Sequence, residues 1–148
     1  MGTINIKPEK HHAGYRRAIV QFEQLIGLDE QKQQLLLHLE LVMNPTSIDE
    51  WHEKHHSRKL ELLNRGLRIP RLVILSGDVG CGKSELAACV GSKLSERLSG
   101  KEVMVYHSPS DLRGSDKVGG ISERITALFE QVKLDRKHEY HLLVIDEA

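Results

Sequence analysis

A short apolar run, Leu72-Val73-Ile74-Leu75, leads into Gly77-Asp78-Val79-Gly80-Cys81-Gly82-Lys83-Ser84, and a helical pattern with Leu86, Val90, Leu94 and Leu98 on one face follows. This order of buried strand, glycine-rich turn and helix constrains the fold more than any other feature of the chain. The turn matches G-x-x-x-x-G-K-[ST] at every fixed position. Glycines let a backbone wrap a phosphate group without a side-chain clash. The N–H groups of the loop and of the first helical turn then point at the anion. In this arrangement Asp78, Val79, Gly80, Cys81, Gly82, Lys83, Ser84 and Glu85 surround a nucleoside triphosphate. Lys83 reaches the outer phosphates and Ser84 ligates magnesium. The competing reading is a chance match on a glycine turn, which the flanking strand and helix argue against.

A second motif closes the sequence. Leu142-Leu143-Val144-Ile145 reads as a central parallel strand buried on both faces, and Asp146-Glu147 follow at its carboxyl end. Ligands of open α/β sheets bind at that end. Asp146 is the expected magnesium carboxylate, acting directly or through water. Glu147 is the expected base that orients and deprotonates the attacking water. Alone, the segment would read as an ordinary strand with an acidic loop. Downstream of a phosphate loop, the pair points to a nucleotide-hydrolysing core with ATP and Mg2+ as cofactors.

Composition narrows the alternatives. Lys and Arg number 21, Asp and Glu also 21, and aromatics are only 4% of the chain. A balanced charge and few stacking rings make nucleic acid an unlikely partner. No apolar stretch is long enough to cross a membrane, and Met1 to Ile6 has no apolar signal core. Cys81 and Cys89 lie in the loop and in the helix after it, where a disulfide would distort the loop. Both are expected to be free thiols in a reducing cytoplasm. Cys81 stands where such loops commonly carry Thr or Ser, and reads as a small, tolerated side chain.

Residues 1–18 read as a polar, loosely ordered leader, and 19–148 as one α/β unit. Asp29 is expected to cap a helix running to about Met43, ended by Asn44-Pro45. Ser47, with Glu50 three residues on, is expected to cap a second helix whose inner face carries Ile48, Trp51 and His55. Glu102 to His107 alternates as a strand. Ile121, Ile125, Leu128, Phe129 and Val132 form one stripe of a later helix. Alternating strands and helices imply a parallel sheet between helical layers.

With these residues in hand, the chain resembles an AAA+ ATPase. Ile26-Gly27-Leu28, the phosphate loop (Walker A) and Asp146-Glu147 (Walker B) carry the resemblance, which covers nearly everything after residue 19. It implies a P-loop NTPase three-layer sandwich, with Ile26, Gly27 and Leu28 packed around adenine. The segment Leu41-Val42-Met43-Asn44-Pro45, then Trp51 and His55-His56, is similar to bacterial relatives of the pachytene-checkpoint ATPase. That likeness implies a cytoplasmic homo-hexamer that remodels a HORMA-domain partner in anti-phage signalling. It also implies a pore loop at Lys117, Val118 and Gly119. Lys117 stands where an aromatic is usual, so grip on substrate is weaker than the family pattern; the competing reading is a solvated connector.

In the family resembled, the polar sensor strand, arginine finger and helical lid follow the second motif. They lie outside these residues, so the chain reads as the amino-terminal part of the large ATPase subdomain, incomplete after the Walker B strand. The sensor strand would lie between Leu72–Leu75 and the strand ending at Asp146, and without it both face unpaired backbone groups. The expectation is that residues 1–148 alone are neither a stable nor an active ATPase. Two other function classes stay open: a nucleotide-gated scaffold with little hydrolysis, and a DNA-linked motor. His52-Glu53-Lys54-His55-His56 also matches H-E-x-x-H, but its polar middle positions and missing third ligand argue against a zinc protease. His138 and His141 read as surface and strand-edge residues.

Overall fold

The computed structural model describes residues 9–12, 16–56, 69–109 and 120–146. Three strands, β1 (Glu9–His12), β2 (Val103–His107) and β3 (Tyr140–Val144), form one sheet in the order β1-β2-β3. β2 and β3 run parallel, with Val103 opposite Tyr140 and His107 opposite Val144. β1 runs antiparallel to β2, with Glu9 opposite His107. Among the described residues five helices accompany the sheet: α1 (Arg16–Gln24), α2 (Asp29–Met43), α3 (Thr46–His55), α4 (Lys83–Arg97) and α5 (Gly120–Leu134). The result is an α/β fold in which a small parallel pair is covered by helices.

α4 is the organising element. Its expected stripe, Leu86, Val90, Leu94 and Leu98, is buried throughout. The stripe packs with Val103 and Val105 of β2 and with Phe22, Leu35, Leu36 and Leu39 of α1 and α2; Leu142 and Val144 of β3 flank it. Alternation along the strands sends Met104, Tyr106 and Leu143 to the opposite face, where Val132 of α5 meets them. Ion pairs add to the apolar contacts of α4. Lys93 meets Glu23 of α1 at 2.9 Å, and Arg97 meets Glu40 of α2 at 3.3 Å. Lys32 of α2 is itself buried, with its ammonium 5.3 Å from the centre of the Phe22 ring.

Four expectations are corrected. Leu72–Leu75 does not join the sheet, and Leu72 and Ile74 are largely exposed. A strand needs a neighbour for its backbone groups, and no described strand pairs with this one. The polar leader contains structure: Glu9–His12 pairs along β2, and α1 begins at Arg16 because Phe22 can reach the core from it. Neither expected cap holds. Leu28 occupies the N-cap of α2, while Asp29 sits in its first turn, 3.7 Å from Lys32. Pro45 precedes α3, whose Ser47 hydroxyl donates to the Asn44 carbonyl at 2.7 Å. The inner face of α3 is carried by His52, not by Trp51 and His55, which lie exposed. Trp51 instead bridges the rings of His55 and His56, with centroids 5.2 and 5.0 Å away.

No helix among the described residues is long and apolar enough to cross a membrane.

Candidate nucleotide-binding site

The glycine loop is shaped by three glycines at positive φ: Gly77 at +154°, Gly80 at +81° and Gly82 at +89°. Side chains rarely adopt this region. Two of the three are also crowded by the ends of neighbouring side chains. A Cβ on Gly77 would lie 3.0 Å from the Cys81 sulfur, and one on Gly82 would lie 3.2 Å from Leu28 Cδ1. Gly82 forms the N-cap of α4 and offers no side-chain cap bond. The first-turn N–H groups of α4 therefore have no partner from the cap residue's side chain, and the helix dipole makes that end favourable for an anion.

Lys83 sits at the mouth of this cradle. Its ammonium donates to the Gly77 carbonyl at 2.9 Å and the Asp78 carbonyl at 2.7 Å, and lies 3.6 Å from Cys81 Sγ. The positive charge is thus held inside the loop by backbone oxygens. Ser84 and Glu85 are exposed on the first turn, and Asp78, Val79 and Gly80 are exposed on the loop. Both thiols are free. Cys81 is exposed, while Cys89 is buried and donates to the Glu85 carbonyl at 2.9 Å. Burial pushes the Cys89 thiol above its ordinary range.

The turn between α1 and α2 supplies the second wall. Leu28 touches the space above Gly82, with Leu25 Cδ2 3.9 Å from the same point. Gly27 takes φ +78° to make the turn, and Ile26 is left 94% exposed beside it. Ile26-Gly27-Leu28 and the phosphate loop are therefore brought together, although they lie far apart in the chain. Because Lys93–Glu23 and Arg97–Glu40 tie α1 and α2 to α4, the turn is held against the same helix that carries Lys83.

Asp146 follows β3 and is exposed, and its N–H donates to Ser108 Oγ at 3.4 Å. Ser108, just past β2, donates its own N–H to the Val144 carbonyl at 2.9 Å. The two parallel strands are thus stitched together beside the carboxylate. Reasoning from sequence missed Ser108, a contact 38 residues away in the chain, and also missed Leu25. Val144, two residues before Asp146, flanks the core cluster that contains Leu86 of α4. Glu147 and the segment Lys117-Val118-Gly119 lie outside the described residues.

His52 and His56 have ring centroids 5.2 Å apart, but among the described residues no third ligand joins them.

CD-NTase-associated protein 6 of Escherichia coli strain MS 115-1 is 35% identical over 134 residues, covering 86% of this chain and 43% of that protein. The chain's homologues are CD-NTase-associated protein 6 proteins. The protein of that name from strain KTE188 is 27% identical over 125 residues, covering 84% of this chain and 42% of its own length. The chain thus spans less than half the length of these homologues. No established family profile matches it. Among solved structures, Trip13 in the E. coli MS115-1 HORMA:CdnC:Trip13 complex superposes with a TM-score of 0.79 at 32% identity, covering 93% of this chain and 46% of that one. Rhizobiales Trip13 shares the fold, with a TM-score of 0.67 at 22% identity over 95% of this chain and 61% of that one.

Proposed function

We propose that this chain is the nucleotide-binding part of an AAA+ ATPase that remodels a HORMA-domain protein in anti-phage defence. The observation that carries the reading is the convergence of the Ile26-Gly27-Leu28 turn on the glycine loop, with Lys83 held at its mouth. One site then offers an apolar wall beside a phosphate cradle, the two recognition needs of a nucleoside triphosphate. Trip13 in a complex with a HORMA protein supports the choice of partner.

The residues present fit ATP and magnesium. Side chains at Gly77 and Gly82 would fill the cradle, and the first turn of α4 is open to an anion. Lys83 would leave its carbonyl partners for the outer phosphates. Ser84 and Asp146 would hold the magnesium, which, when bound, offsets the charge of the phosphates. Ile26, Gly27 and Leu28 would lie against the adenine. Glu147 would take a proton from the attacking water. In a ring of subunits, a hexamer by the family pattern, the neighbour would supply an arginine to the transferring phosphoryl group. Lys117, Val118 and Gly119 would line the pore.

Steady-state ATPase and nucleotide-binding measurements on the full-length protein test this. Glu147→Gln should keep ATP binding and lose turnover, because a neutral amide cannot accept the proton. Lys83→Ala should lose binding itself. Normal turnover in Glu147→Gln would overturn the role given to that residue. Tight binding with negligible wild-type turnover, even with a HORMA partner, would favour a nucleotide-gated scaffold instead.

A further inference from the structure

We propose that Asp135, His138 and His141 form a site for a divalent transition metal of the zinc class, at the junction of α5 and β3. The site is separate from the nucleotide cradle and does not depend on the function proposed above.

The sequence spacing is D-x-x-H-x-x-H, and the fold gathers the three residues. Asp135 closes α5, its N–H bonding to the Val132 carbonyl at 3.1 Å. His138 follows in the connecting turn. His141 is the second residue of β3 and points to the α5 side of the sheet, its ring 5.8 Å from that of Tyr106. One ligand atom from each residue lies within 4.8 Å of the other two. The Asp135 and His138 side chains are only 6% and 11% exposed, and His138 Nδ1 lies 3.2 Å from both carboxylate oxygens. A second observation points to a ligand. His141 Nε2 is buried and has no hydrogen-bond partner among the described residues, a costly state for an imidazole nitrogen.

The surroundings are those of a metal site's outer shell. The Tyr106 hydroxyl donates to Asp135 Oδ2 at 2.5 Å, and the Lys137 N–H donates to Oδ1 at 3.0 Å. Both fix the carboxylate, as an outer shell orients a metal-binding group. The other nitrogen of His138, Nε2, lies 3.7 Å from Glu102 Oε2. Because the carboxylate only accepts, the nitrogen that faces it, Nδ1, carries the proton and donates. A cation bound here would take the place of that proton, which leaves to solvent, and would be ligated by Nδ1 and the carboxylate together. Two imidazoles and one carboxylate suit zinc, whereas magnesium and calcium prefer oxygen ligands throughout. Three protein ligands leave a fourth position for water. Drawing ligand atoms in to about 2.0–2.2 Å from zinc needs only small side-chain movements. The cluster lies near the amino-terminal end of β3, and Asp146 follows the other end, so the metal would pin the α5–β3 connection rather than serve phosphate chemistry.

The test uses full-length protein stripped with a chelator and titrated with Zn2+ alone, read by competition with a chromophoric chelator. Co2+ serves as an absorption probe of coordination. We expect one equivalent bound, an intense tetrahedral Co2+ spectrum, and a rise in Tm on adding zinc. Asp135→Asn and His141→Ala should each weaken binding at least about tenfold. His141→Gln keeps a polar group at the same place; it should fold by circular dichroism yet lose both the Co2+ spectrum and the zinc-dependent Tm shift. A His52→Ala, His56→Ala double variant should behave as wild type. Absence of stoichiometric binding, unchanged affinity in a folded His141→Gln, or loss of zinc with the His52 and His56 changes would each overturn the assignment.

Discussion

Leu72–Leu75 is apolar throughout and α4 only along one stripe, yet the run lies largely open while the stripe forms the centre of the core. The difference lies in where each finds its hydrogen bonds. A helix satisfies its backbone within itself, so α4 needs only an apolar surface to cover one stripe. A strand must borrow its partners from neighbours, and no described strand reaches Leu72–Leu75.

Core substitutions give the largest test of this contrast. Leu94, with 0% exposure, should cost about 2–5 kcal/mol on replacement by Ala. Ile74→Ala, at 79% exposure, should cost less than about 0.5 kcal/mol. Urea melts measure both, and equal costs would mean that Leu72–Leu75 is buried after all. Next is the loop between them. Gly82→Ala forces a side chain to φ +89° and against Leu28, and should cost about 1–2 kcal/mol while weakening nucleotide binding by more than tenfold. Wild-type affinity for a fluorescent nucleotide in that variant would show that the loop is not a fixed cradle. The ties on α4 should matter less: Arg97→Ala should cost about 0–1 kcal/mol in chemical denaturation, and less still in high salt.

The smallest effect is a pH dependence. Burial raises the Cys89 thiol in the folded chain above its unfolded value of about 8.5. Its contribution is therefore complete below that pH and is lost as pH rises through the folded value. Cys89→Ala should flatten the alkaline fall in stability above about pH 8.5, and iodoacetamide should label exposed Cys81 well before Cys89.

The same reasoning explains what could be read in advance. The α4 stripe was legible because its period is local, and the glycine loop because its spacing encodes backbone conformation directly. α1 was hidden by its Arg16-Arg17 start; Phe22 is its one buried residue. The face of α3 was misjudged because a large ring at Trp51 outweighed His52, and only tertiary contacts decide between neighbours on one helix. Ser108 could not be found from sequence, since its contact with Asp146 depends on the parallel register of β2 and β3. Histidines at 138 and 141 looked superficial until the turn after α5 folded them onto Asp135.

The contact between Leu28 and Gly82 has a consequence for anyone who would re-engineer this site. The wall expected to discriminate among bases and the loop expected to hold the triphosphate share one van der Waals boundary, and both ride on a single helix. Changing Leu28 to alter nucleotide preference would press on the start of α4 and disturb the grip of Lys83. On the function proposed above, selectivity and affinity would be mechanically joined and could not be adjusted one at a time.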